Sequence, residues 1–188
     1  MTIAYSMFER LKRLVSFDDS DVENLRSLAP AIMEIGPSLT DAFYSALASE
    51  PATAEVIDGR LEKLQKTHSQ WLRELIAGDY GERYFTSRIR IGQVHVVHGI
   101  EPAFVEAVMS IIRTRAIKLL AEKFDGTADL AEKAASFIKI CDLDMLLINM
   151  AYADERLERL SSFTGMKRTL IENIIRIPPD TEPARQAF

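Results

Sequence analysis

The stretch Ile91-Gly92-Gln93-Val94-His95-Val96-Val97-His98-Gly99-Ile100-Glu101-Pro102 decides how the middle of the chain folds. A helical pattern leads up to Gly99, and glycine readily takes the left-handed conformation that ends a helix. Pro102 suits the first turn of a new helix, because its missing N–H group would have no partner there. The stretch therefore predicts a tight corner between two helices, with His95 one turn before it.

His95 has two interpretations. Its ring projects from the apolar side of the helix, and a neutral imidazole in an apolar pocket is a good fifth ligand for haem iron. A core histidine that hydrogen-bonds a helix-end carbonyl would show the same pattern, and such histidines outnumber ligands. Spacing alone therefore favours the core histidine.

The composition excludes several classes of protein. The chain has 188 residues, of which 47% are hydrophobic, so one domain can bury a proper core. Its net charge of −5 provides no broad basic surface for nucleic acid. The single cysteine, Cys141, cannot form an internal disulfide. No apolar run approaches the roughly 20 residues that span a bilayer, and the first residues lack a signal-peptide layout. We expect a cytoplasmic protein that binds neither membrane nor nucleic acid.

Apolar spacing of three and four residues recurs along the chain, which predicts an all-α fold of about eight helices around a pocket. A capping box of Ser20 and Glu23 is expected to open the second helix. We expect one domain over residues 1–178, with an extension helix within 1–18 and a disordered tail over 179–188. A turn is expected at Asp125-Gly126-Thr127. The predicted helices cover Met1–Val15, Asp21–Leu28, Ala31–Ser49, a short connector at Pro51–Asp58, Gly59–Ala77, Tyr80–His98, Pro102–Phe124, Leu130–Leu160 and Ser161–Ile177.

The sequence gives little support for a zinc site, a catalytic nucleophile or a phosphate-binding loop. His95 and His98 could join Cys141 or a carboxylate in a zinc site, but zinc ligands usually follow shorter, recognisable spacings. The sequence contains no nucleophile elbow and no glycine-rich phosphate loop. Carboxylate pairs such as Asp142 with Asp144 fit solvated helix faces.

Three motifs carry a resemblance to a known family. Arg90-Ile91-Gly92-x-x-His95-x-x-x-Gly99-Ile100-x-Pro102 resembles the F-helix signature of globin-coupled sensors and protoglobins. Asp41-Ala42-Phe43-Tyr44 resembles the distal segment of their B helix, and Leu61-x-x-Leu64-Gln65-Lys66-Thr67 resembles their E helix. The resemblance covers roughly residues 20–152, in helix order. It implies a globin-like fold with an added N-terminal helix and long C-terminal helices.

The resemblance also implies a haem b site. His95 would bind the iron through Nε2, with its Nδ1–H donated to a backbone carbonyl one turn earlier. Tyr44 would donate a hydrogen bond to bound O₂, with Thr67 as a supporting hydroxyl. Lys66, Arg88 or Arg90 could reach a propionate, and a surface position is expected for His68. The pocket walls would be Phe43, Leu64, Trp71, Val94, Phe104 and Val108.

The function that the resemblance implies is gas sensing. Such a domain binds O₂, CO or NO reversibly and relays ligation through its C-terminal helices to an output domain or a separate partner. A homodimer through Pro102–Phe124 and Leu130–Leu160 is expected. The globin domain itself is not expected to be an enzyme. Two alternatives remain: a haem enzyme such as a nitric oxide dioxygenase or a peroxidase-like globin, and a haem-free signalling module.

Overall fold

The computed structural model describes residues 3–124 and 129–177. These residues form eight helices and no strand, which confirms the all-α prediction. The predicted turn at residues 125–127 and the predicted tail over residues 179–188 lie outside the described residues. The helices are α1 (Tyr5–Leu14), α2 (Asp19–Ser49), α3 (Pro51–Ile57), α4 (Leu61–Leu75), α5 (Glu82–Val97), α6 (Pro102–Phe124), α7 (Asp129–Thr164) and α8 (Arg168–Arg176).

The chain divides into two compact units, Met1–Tyr152 and Ala153–Phe188. In the first unit, α2 contacts α3, α4 and α6, while α1 contacts α5. Phe8 of α1 stacks on Tyr84 of α5, with ring centroids 6.0 Å apart. In the second unit, Arg168 of α8 donates hydrogen bonds to Asp154 and Glu172. The first unit contains the core that surrounds the site described below.

Helix α2 differs from its prediction at both the start and the middle. Asp18, not Ser20, is the N-cap: its side chain accepts from Ser20 N, and Asp18 N donates to Asp21 Oδ2 at 3.0 Å. The predicted Ser20–Glu23 capping box is therefore wrong, because an aspartate pair two residues earlier caps the helix equally well. The helix also continues through Pro30, where a separate start was predicted. A proline removes one hydrogen bond and bends a helix, but a buried apolar face on both sides of it keeps this helix continuous.

The corner between α5 and α6 forms as predicted. Gly99 has a φ of 66°, and Ile100 N donates to the carbonyl of His95 at 3.0 Å. Helix α6 begins at Pro102. The sequence left open whether the helix after Leu160 continues or restarts. Helix α7 continues to Thr164, Gly165 follows it with a φ of 70°, and α8 begins at Arg168.

Gly92 allows α5 to pack closely against α7. A Cβ atom at this position would lie 2.5 Å from the carbonyl oxygen of Ile148 and 2.6 Å from Cβ of Ala151. Because one of these contacts is backbone, a side chain at Gly92 could be accommodated only by moving a helix. The absence of a side chain at Gly92 therefore sets the distance between α7 and the helix that carries His95.

We expect Gly92→Ala to destabilise the protein by about 1–3 kcal/mol, since overpacking forces backbone shifts. Gly36→Ala is the matched control, because its Cβ would meet only a flexible side chain, Leu72, at 3.3 Å. Urea unfolding of both variants beside the wild type measures the difference. Equal stability of the two variants would contradict the close approach of α5 and α7.

Candidate functional site

A cavity of about 530 Å³ lies inside the first unit, and α2 to α7 all contribute to its walls. This volume is in the usual range for a small-molecule or cofactor pocket. All nine residues predicted to contact a cofactor line it. Seven are buried or half-buried, while Thr67 and Val94 are exposed. What each residue binds stays a prediction; the nine are Phe43, Tyr44, Leu64, Thr67, Trp71, Val94, His95, Phe104 and Val108.

His95 lines the cavity from the last turn of α5. Its ring stacks on Tyr152 of α7, with centroids 6.0 Å apart and an interplanar angle of 22°. Burial, with a smaller effect of His98, lowers the pKa of His95 to about 4, so the ring is neutral near pH 7. The hydrogen bond predicted from Nδ1 to an earlier carbonyl is absent: Nδ1 is buried without a partner in the described part of the chain. The ring of His95 packs on Tyr152 of α7, and its Nδ1 bonds no carbonyl of the described residues.

Tyr44 lines the same cavity from the last third of α2. Only 8% of its surface is exposed, and its ring packs edge-on against Phe43 at 4.9 Å. Burial alone raises the pKa of Tyr44 to about 12, so the hydroxyl keeps its proton at any ordinary pH. Its hydroxyl therefore presents a hydrogen-bond donor at an apolar wall.

His68 and Thr67 differ from their expected environments. Thr67 is exposed, and its hydroxyl donates to the backbone oxygen of Lys63 at 3.1 Å. His68 is buried, with 7% of its surface exposed, although a surface position was expected. The Thr40 hydroxyl lies 3.0 Å from Nδ1 of His68, and burial lowers the pKa of this ring to about 4. The signal was present in the sequence, because His68 is one turn from both Leu64 and Leu72 on the apolar face.

The three cations predicted to reach a propionate lie in different environments. Lys66 is exposed and paired with Glu62 on its own helix. Arg88 is fully buried and already bonded to two carboxylates. Arg90 is exposed at the cavity, and so is Arg60, which was not among the predicted cations.

Asp144 of α7 is the centre of a buried polar cluster behind the cavity wall. Its carboxylate accepts from Arg88 Nε at 2.5 Å, from the Tyr84 hydroxyl at 2.5 Å and from Trp71 Nε1 at 2.9 Å. Arg88 also donates a hydrogen bond to a second carboxylate, that of Glu74. The solvated face predicted for Asp144 is therefore wrong. Asp144 lies on the stripe of Phe137, Ile140, Cys141 and Ile148, all of which are buried.

Two further findings concern metal binding and membranes. Cys141 is a free, buried thiol, and the described residues contain no group of three metal-binding side chains. None of the described helices is long and apolar enough to cross a membrane.

The arrangement of helices around this cavity is that of a globin. The globin domain of a globin-coupled sensor from Geobacter sulfurreducens superposes with a TM-score of 0.73 and 30% identity, over 77% of this chain and 96% of that domain. A family model described as protoglobin matches residues 4–158. The chain belongs to the protoglobin family, which confirms the resemblance drawn from the three motifs.

One curated relative is the "Heme-based aerotactic transducer HemAT" of Halobacterium salinarum. It is 26% identical over 157 residues, an alignment that covers 76% of this chain. The chain spans only 32% of the length of that transducer.

Proposed function

We propose that this chain is a haem-based gas sensor domain that binds O₂, and also CO or NO, at a haem held by His95. The observation that carries the proposal is a largely apolar cavity that is lined both by the neutral ring of His95 and by the protonated Tyr44. The relatives are a haem-based transducer and a globin-coupled sensor, and their names support the same assignment.

The residues present fit a haem group. The cavity has the volume of a cofactor site and largely apolar walls, which suit a porphyrin ring. Arg60 and Arg90 are exposed at the cavity, where guanidinium groups can bind the two carboxylates of a haem. The only cysteine, Cys141, is fully buried, and no Cys-x-x-Cys-His motif is present for covalent attachment. These features favour a non-covalently held haem b.

The bound haem would supply a reversible binding site for diatomic gases. His95 would provide the nitrogen that holds the iron, since its ring is neutral and need not lose a proton first. The part of Tyr44 is to donate a hydrogen bond to a gas ligand that carries partial negative charge. O₂ gains more from such a donor than CO, because CO is less polar, so Tyr44 favours O₂ over CO.

Contacts between α5 and α7 support a relay toward the C-terminal helices. Gly92 packs on Ile148, the ring of His95 stacks on Tyr152, and the Tyr152 hydroxyl donates to Ile100 at the corner. A shift of His95 on gas binding would therefore act directly on α7, a helix that continues to Thr164. We propose that α7 passes this shift to an output domain or a partner protein. The homodimer expected through the C-terminal helices stays a prediction.

We expect Tyr44→Phe to speed O₂ dissociation about tenfold or more, since the lost hydrogen bond is worth about 1.4 kcal/mol. CO dissociation should change much less. Stopped-flow displacement of each gas from the reduced protein measures both rates. Tyr80→Phe is the matched control, because the Tyr80 hydroxyl donates to Leu75 outside the cavity and should not affect either gas. An unchanged O₂ rate beside a shifted CO rate would contradict the distal role of Tyr44.

A further inference from the structure

A row of aromatic rings runs along the cavity wall from Tyr44 to α7. The ring of Tyr44 packs edge-on against that of His68, with centroids 6.0 Å apart. The ring of His68 lies 5.2 Å from that of Trp71, and Nε1–H of Trp71 donates to Asp144 Oδ2 at 2.9 Å. All three rings line the cavity, and Asp144 belongs to α7. Direct contacts therefore connect the proposed hydrogen-bond donor for O₂ to α7.

The hydrogen bond between Trp71 and Asp144 can change without breaking the buried ion pair. Asp144 also accepts from the Tyr84 hydroxyl and from Arg88 Nε, each at 2.5 Å. Arg88 in turn donates to the backbone oxygen of Trp71 at 3.4 Å. The carboxylate and the backbone of Trp71 are thus both held by other partners. The indole side chain is the part of this cluster that a small shift in the cavity can move.

Helix α7 meets the cavity residues at two separate points. The wall that contains Tyr44 reaches α7 at Asp144, through the indole of Trp71. The proposed iron ligand, His95, reaches α7 at Tyr152, through ring stacking. Asp144 and Tyr152 are about 12 Å apart along the helix axis, at a rise of roughly 1.5 Å per residue. A change on either side of the cavity can therefore act on a different part of α7.

We propose that Trp71 and Asp144 are positioning residues through which the gas side of the haem acts on α7. A ligand that accepts from the Tyr44 hydroxyl draws that ring toward itself, and the packed rings behind it follow, because protein interiors leave few voids. The hydrogen bond between Trp71 and Asp144 then changes in strength. The inference rests on the proposed haem site and adds to it a second contact with α7, besides that of His95 with Tyr152.

Ultraviolet resonance Raman spectra of the holoprotein test the inference on the unmodified chain. Trp71 is the only tryptophan, so the indole N–H band reports its hydrogen bond alone. The band should shift between the gas-free and the O₂-bound protein. The shift should be smaller with CO, which is less polar, and Tyr44→Phe should remove most of the shift with O₂. An indole band that O₂ binding leaves unchanged would overturn the inference while leaving the haem site intact.

Trp71→Phe provides a second test, because it keeps an aromatic ring but removes the Nε1–H donor. In the wild type, O₂ should change amide hydrogen exchange around Asp144 about fivefold or more, the lower end of usual coupling between sites. The variant should lose this change, while exchange around Tyr152 should still respond through His95. Since coupling is reciprocal, the O₂ affinity of the variant should differ from that of the wild type by the same factor.

Ser69→Ala is the control, because Ser69 lies two residues before Trp71 on α4 and its hydroxyl donates to Gln65 of its own helix. It should keep both the Raman shift and the exchange response of the wild type. An exchange response around Asp144 that survives in Trp71→Phe would overturn the inference and leave the haem site intact. A protein that takes up no haem would overturn the haem site and the inference together.

Discussion

Replacing His95 with alanine is expected to abolish stable haem binding. His95 is the cavity residue on α5 whose ring is both neutral and held by stacking on Tyr152, so the variant would lack the nitrogen that we propose binds the iron. Gel filtration of the variant, followed by its visible spectrum, measures how much haem each chain retains. We expect most of the haem to be lost during the separation.

His98→Ala is the matched control for this prediction. His98 also lines the cavity, but it lies beyond the end of α5 and is exposed. It should keep one haem per chain. A His95→Ala variant with a normal five-coordinate spectrum would contradict the assignment and point to His98 instead.

Replacing Asp144 with asparagine is expected to destabilise the protein by about 3–5 kcal/mol, the usual cost of breaking a buried ion pair. Both Asp144 and Arg88 have fully buried side chains, so the variant leaves a guanidinium with only the partly exposed Glu74 to balance it. Urea unfolding measures the change in the free energy of unfolding.

Asp142→Asn is the control, two residues earlier on the same helix. Its carboxylate is 49% exposed and pairs with Arg113, and a pair of this kind contributes at most about 1 kcal/mol. A double variant, Arg88→Met with Asp144→Leu, should recover much of the loss, because no buried charge remains. Equal destabilisation by Asp142→Asn and Asp144→Asn would contradict the buried position of Asp144.

The corner before α6 could be predicted because its causes are local. Gly99 and Pro102 act through their own backbone geometry, so these two residues suffice to end one helix and begin the next. The same local rules failed at Pro30, where burial of α2 on both sides outweighs the loss of one hydrogen bond. Local signals therefore located the helices well and their interruptions less well.

The positions of polar side chains in the first unit depended on the rotation of each helix. His68 and Thr67 are neighbours on α4, and a rotation of 100° decides which of them is buried. Asp144 is polar on an otherwise apolar stripe, and its burial is explained by donors far away in the sequence, such as Arg88, 56 residues earlier in the chain. Partners so distant in sequence bring these groups together, and a single sequence does not show which residues will meet.

The most direct test of the account is the visible absorption spectrum of the purified protein, reduced and then exposed to O₂ and to CO. We expect a Soret band that shifts with each gas, because the cavity is proposed to hold haem on His95. A protein without a Soret band, even after addition of hemin, would contradict it and leave a globin fold that serves protein contacts alone.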